Sequence, residues 1–187
     1  MKRVGLLLFL ALFLAPVLNG CGGLTGASYS LRGEDTDRVK KIAVLPFYNM
    51  SRNDDAGDIV TNIFVSELFK DNTYLVEEPG NIRQFFIQEQ VDKLGEIGID
   101  RLKILGKRLR VDAVLLGTVE VFDERRGGPS VGINARIVES GSGRLVWIAN
   151  HEKRGTDYAI AFEIGTVRTP ARLAQKVVKE MIDTIEW

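Results

Sequence analysis

Apolar and polar positions divide this chain into a leader, a polar stretch and a body that folds. From Val4 to Val17 the residues are apolar apart from Gly5 and Pro16, and Lys2 and Arg3 precede them. That run is short for a span of ~30 Å of hydrocarbon, and no stop-transfer charges follow, so it predicts a secretory signal peptide over residues 1–20. Residues 21–38 carry Gly22, Gly23, Gly26 and Gly33 among scattered Ser, Thr and acids, with no apolar period, and are expected to form a flexible tether. Regular patterning begins at Val39, so residues 39–187 are read as a single domain.

The body opens with a β-branched and apolar run over 39–47, the pattern of a buried strand, in which Pro46 interrupts the ladder. A polar loop over 49–55 follows, with Asp54 or Asp55 placed to cap a helix. Ile59, Ile63, Phe64 and Leu68 then recur at helical spacing over 56–70. A short strand is expected over 73–77, a turn at Pro79-Gly80-Asn81, and helices over 82–94 and 100–110. Residues 113–122 begin as a continuous apolar run and end alternating. Residues 131–138 alternate cleanly, and 144–149 return after Gly141-Ser142-Gly143. Three strands on short turns make an antiparallel meander. Thr169-Pro170 opens a last helix carrying Leu173, Val177, Met181 and Ile185. The order β-α-β-α-α-β-β-β-α predicts an α/β fold: a mixed sheet of about five strands covered by helices. The pattern leaves open whether the helices lie on one face of the sheet or on both.

Composition changes this picture little. Lys+Arg and Asp+Glu are 25 each, and the leader holds two bases and no acid, so the remainder is slightly acidic. That balance gives no overall electrostatic footprint for nucleic acid or for an anionic lipid surface. Cysteine changes it more. Cys21 is the only cysteine, so no intramolecular disulfide can form. It stands where the leader ends, and Leu18-Asn19-Gly20-Cys21 resembles a bacterial lipobox, although Asn19 is not the favoured residue at its position. The resemblance implies that Cys21 becomes a lipidated first residue carrying three acyl chains, and two or more anchor stably. Gly22 rather than aspartate after the cysteine points to the outer membrane over the inner.

A second resemblance concerns the body. Ile42-Ala43-Val44-Leu45-Pro46-Phe47, with Asn49 and Ser51, is similar to the opening of the curli assembly and transport lipoproteins (the CsgG-like family), of the TolB N-terminal domain and of LpoB-type activators of penicillin-binding proteins. The segment from Leu105 to Val119 resembles the family's helix running through "GADAVLLG" into its central strand, with Arg110 and Val111 where a glycine usually precedes the alanine-aspartate pair. The hairpin from Glu139 to Trp147 is similar as well. These motifs are apolar and structural, and imply fold more than task. Curli channels insert two long hairpins per subunit. Here the loop after Phe122 has no room for the first, so no pore is expected.

No catalytic constellation emerges, and no cofactor or metal is expected. His151, the single histidine, is read as a surface residue just after the last strand, without a second His or a free Cys to complete a site. Asp54, Asp55 and Asp58 lack EF-hand spacing, and Gly106-Lys107 lacks that of a phosphate loop. Possible partner contacts are Arg125 and Arg126 at a hairpin tip, and Tyr158, Ile160 and Phe162, which share one face if residues 155–168 are extended and could then add a strand to another chain. The functional expectation is a lipid-anchored, periplasm-facing envelope protein that binds or scaffolds other envelope proteins. The alternatives are an oligomeric secretion component, a regulator of a peptidoglycan synthase, and a hydrolase whose site the sequence does not reveal. Expected partners are the membrane, through Cys21, and envelope proteins or a homo-oligomer, with no nucleic acid.

Overall fold

The computed structural model describes residues 26–30, 39–91, 97–125, 127–160 and 164–185. In chain order these form β1 (Gly26–Ser30), β2 (Lys41–Val44), β3 (Tyr48–Asn49), α1 (Ala56–Asp71), β4 (Leu75–Val76), α2 (Pro79–Gln88), α3 (Ile99–Leu109), β5 (Ala113–Arg125), β6 (Gly128–Glu139), β7 (Leu145–Arg154), a 3₁₀ turn (Gly155–Tyr158) and α4 (Pro170–Ile182). The strands make one mixed sheet of seven, ordered β1-β7-β6-β5-β2-β4, with β3 also paired to β5. β2 runs parallel to β4 and β5, and β3 parallel to β5. β5, β6 and β7 form the expected antiparallel meander.

The two strands beyond the expected five have local causes. β1 lies in the stretch read as tether, and pairs antiparallel with β7 from Gly26 opposite His151 to Ser30 opposite Trp147. β3 is the resumption of β2 after Pro46. Leu45 still donates to the Leu115 carbonyl, the proline breaks the ladder, and Tyr48 and Asn49 rejoin β5 beside Thr118 and Val119. Between them the Phe47 amide donates to Thr61 Oγ1 of α1 at 2.9 Å. Asp55 takes the N-cap position of α1 but makes no side-chain cap bond. Instead the Asn53 side chain accepts the Asp55 amide at 3.0 Å, and Asn49 donates to the Asn53 carbonyl at 2.7 Å.

Helices cover both faces of the sheet, in two separate cores. α1 and α4 bury Val60, Phe64, Leu68, Leu173, Val177 and Met181 against Ile42, Val44, Leu115, Ile137 and Trp147. On the opposite face α2 and α3 bury Ile82, Phe85, Leu102 and Leu105 against Ala43, Leu45, Val114 and Leu116. The period of two in β2 and β5 feeds alternate residues to alternate cores, which is why both strands begin as unbroken apolar runs.

The motif leading into β5 explains itself here. The Asp112 carboxylate accepts the amides of Lys40 and Lys41, each at 2.9 Å, and so fixes the start of β2 beside the start of β5. Gly117 lies where the Phe47 ring and the Asn134 carbonyl leave no space: a Cβ would come within 2.4 Å of the ring and 2.3 Å of the oxygen. Arg110, standing where the resembling family has glycine, closes α3 with a left-handed φ of 53°. Its side chain is exposed, so a glycine would relieve the backbone without opening a cavity. Arg110→Gly is expected to raise the unfolding free energy by about 1 kcal/mol in urea denaturation.

Candidate interaction surfaces

Residues paired across β5, β6 and β7 share a face, so the register assigns each side chain to one side of the sheet. On the α1–α4 side run the apolar rows Leu115-Ile137-Trp147 and Gly117-Ala135-Ala149, followed by Val119-Ile133-His151. On the other side the rows begin with Leu116-Arg136-Ile148, then Thr118-Asn134-Asn150, Val121-Gly132-Glu152 and Asp123-Ser130-Arg154. α2 and α3 pack over only the first part of β5 on that side. Past Leu116 the face is polar and uncovered.

This open half holds a cleft of about 470 Å³. A register shift between Val119 and Val121 marks a bulge at Glu120, which brings that carboxylate into the cleft beside Asp123 and Glu152. Arg52 and Arg154 face them. The walls are the Met50–Arg52 loop after β3 and the β5–β6 turn at Gly127-Gly128. Charges of both signs around a lining that includes Gly127 and Gly128, which carry no side chain, suit hydrogen bonding to an extended polar chain. Among the described residues no group of three or more His, Cys, Asp or Glu is arranged to hold a metal ion.

The candidate residues from sequence separate on inspection. Cys21, Arg126 and Phe162 lie outside the described residues. Arg125 ends β5 opposite Gly128, beside the cleft. Tyr158 and Ile160 do not form an extended row. The Asp157 carboxylate accepts the Arg154 amide at 2.7 Å and turns the chain into a 3₁₀ helix, and Gly155 fits there because a Cβ would meet the Val167 carbonyl at 2.1 Å. Tyr158 is therefore half-buried against the core, with Lys176 of α4 4.4 Å above its ring, while Ile160 is 88% exposed.

His151 is also corrected. β7 continues to Arg154, which places His151 inside the strand, under α4 and 8% exposed. Burial pushes its pKa down, Glu180 opposes this and Lys153 adds to it. Burial, then Glu180, pushes the Tyr158 hydroxyl up.

Sequence reasoning also missed a basic stripe. Arg172, Lys176 and Lys179 recur at helical spacing along α4, and with Arg168 and Lys70 they line a groove of about 650 Å³ between α4 and α1. The spacing is visible in the sequence. That Arg168 and Lys70 join it is a matter of packing.

No protein-family model matches this chain, and no curated protein shows significant similarity to it. Solved structures do share its fold. The PelC dodecamer from Paraburkholderia phytofirmans superposes with a TM-score of 0.60 at 18% identity, over 86% of this chain and 97% of that one. Lipoprotein GNA1162 from Neisseria meningitidis gives 0.55 at 21%, over 78% and 99%. The LpoB C-terminal domain from Salmonella enterica gives 0.50 at 10%, over 62% and 82%. The likeness is one of fold. Of the groups that the sequence resembles, it reaches the LpoB domains.

Proposed function

We propose that this chain is a non-catalytic binding module of the cell envelope, anchored through lipid on Cys21 to the outer membrane and facing the periplasm, whose open sheet face receives an extended segment of another envelope protein. The carrying observation is the uncovered half of the β5–β6–β7 face past Leu116: three cross-strand rows, each holding polar or charged side chains, in a sheet that helices cover on both sides elsewhere. The fold likeness to lipoprotein GNA1162 and to an LpoB domain supports an envelope role. The likeness to the PelC dodecamer supports a second reading in which the occupant is another copy of this chain. Arg125, which ends β5 opposite Gly128, is kept as a proposed contact.

The test is site-specific photocrosslinking in intact cells of a two-membrane bacterium, combined with intact-mass analysis of Cys21. A photoreactive residue at Ser130 or Glu152 is expected to give discrete adducts, of self mass or of one envelope protein, severalfold above those from exposed Lys103 on α3. Cys21→Ala should abolish the acyl mass. Cleft positions that crosslink no better than Lys103 would overturn the binding reading, and an unmodified wild-type Cys21 would overturn the anchor.

A further inference from the structure

Resting on the lipid-anchor reading, we infer that the end of the domain bearing Ile160, Ile164 and the basic groove of α4 docks directly onto an anionic phospholipid surface. Three observations converge on this end.

The first is the leash. A tether over 21–38 would let the domain range roughly 60 Å from the membrane, at about 3.5 Å per extended residue. The pairing of β1 shortens that. Gly26 is already held opposite His151, so only five peptide units separate it from Cys21, a reach of roughly 17 Å. Because β1 is antiparallel to β7, Gly26 lies at the end of the sheet where β7 passes into the 3₁₀ turn and on to Ile160.

The second is apolar. Ile160 donates its amide to the Ile164 carbonyl at 2.9 Å, which holds the two residues side by side, and Gly165 follows with a φ of 91°. Both isoleucines point outward, 88% and 66% exposed. Tyr158, two residues before Ile160, is fixed to the helix layer under Lys176, which sets Ile160 and its hydrogen-bonded partner Ile164 on the α4 side of the sheet.

The third is charge. Gly165 to Thr169 runs from Ile164 along the groove lined by Lys70, Arg168, Arg172, Lys176 and Lys179, with Glu67 the single lining carboxylate among the described residues. Lys70 is paired with Glu67 at 2.6 Å and Lys179 with Asp183 at 3.0 Å. Arg168 and Arg172 have no ion-pair partner among the described residues, and Lys176 is held only by the Tyr158 ring. A chain of zero formal charge therefore carries a concentrated positive excess here. Outward isoleucines beside unpaired cations are the composition that settles at a headgroup boundary, where each cation strengthens binding to an anionic surface by about fivefold. The short leash makes lipid, rather than an acidic protein, the first surface this end meets.

Acylation would consume the only native thiol, so Ile164→Cys adds a unique site for an environment-sensitive dye. The full lipidated protein is reconstituted into phosphatidylcholine vesicles with and without phosphatidylglycerol. With phosphatidylglycerol, the dye at 164 is expected to shift to the blue and brighten by about twofold or more, whereas a dye at Asn150→Cys on the open sheet face stays unchanged. Arg168→Glu/Arg172→Glu/Lys176→Glu, all at exposed positions and checked for folding by circular dichroism, should abolish the response, and raised salt should weaken it. Emission at 164 that is identical in both vesicles, with Cys21 acylated by mass, overturns the docking and leaves the anchor standing. An unmodified Cys21 overturns both.

Discussion

Trp147→Ala is expected to lower the unfolding free energy by about 4 kcal/mol, a large part of the ~5–15 kcal/mol available to a domain of this size. Trp147 is fully buried in the row Leu115-Ile137-Trp147, beneath the layer that α4 contributes. Its Nε1 donates to Thr184 Oγ1 at 3.1 Å, just past the end of α4, and the Thr184 hydroxyl in turn donates to the Met181 carbonyl. Alanine removes the largest side chain of the core and its link to the closing helix. Trp147→Phe keeps much of the volume and loses the hydrogen bond, at about 1–2 kcal/mol. Urea denaturation separates the two. A loss below about 1 kcal/mol in the alanine variant would mean that Trp147 does not hold α4 to the meander.

Glu77→Ala is the second large loss, about 2–3 kcal/mol at neutral pH. Glu77 follows β4, is 5% exposed, and joins three elements: its carboxylate forms an ion pair with Lys41 of β2 and accepts Asn81 Nδ2 of α2 at 2.7 Å. Lys41 also donates to the Leu109 carbonyl at the end of α3. Lys41 keeps 31% of its side-chain exposure and recovers some water when the carboxylate goes, which holds the loss at the lower end. Burial raises the Glu77 pKa, but the hydrogen bonds from Asn81 and Lys41 and the charge of Lys41 outweigh it, so the net shift is downward. A carboxyl with a depressed folded pKa stabilises fully above its unfolded value, about 4.3, and loses that contribution as pH falls through the folded value. The stability gap between wild type and Glu77→Ala should therefore narrow from about pH 4 downward. A gap independent of pH would show that the ion pair does not form.

The parts of the fold legible in sequence are those whose side chains carry the pattern. Val131 to Val138 alternates because one face packs on α1 and α4 and the other is largely open, and α1 shows its stripe because Val60, Phe64 and Leu68 all reach one core. β1 was illegible for the opposite reason: Gly26-Ala27-Ser28-Tyr29-Ser30 has no apolar period, and its conformation comes from hydrogen bonding to β7. β7 runs past its predicted end because Asn150 to Arg154 is polar, on a stretch where one sheet face is uncovered. That misplacement made His151 a surface residue in the sequence reading. The cleft was beyond reach for a related reason. Its acids and arginines come from β5, β7 and the Met50–Arg52 loop, and only cross-strand register collects them.

β1 has one more consequence, for the sheet's edges. At one edge β4 is two residues long and offers almost no free ladder to another chain. At the other, β1 shields β7 from Trp147 to His151. A chain shortened to begin at Val39 would lose that guard and bare a long β7 edge, the kind of template on which strands of separate molecules pair. Self-association of such a fragment would report the freed edge of β7 rather than an assembly of the intact protein.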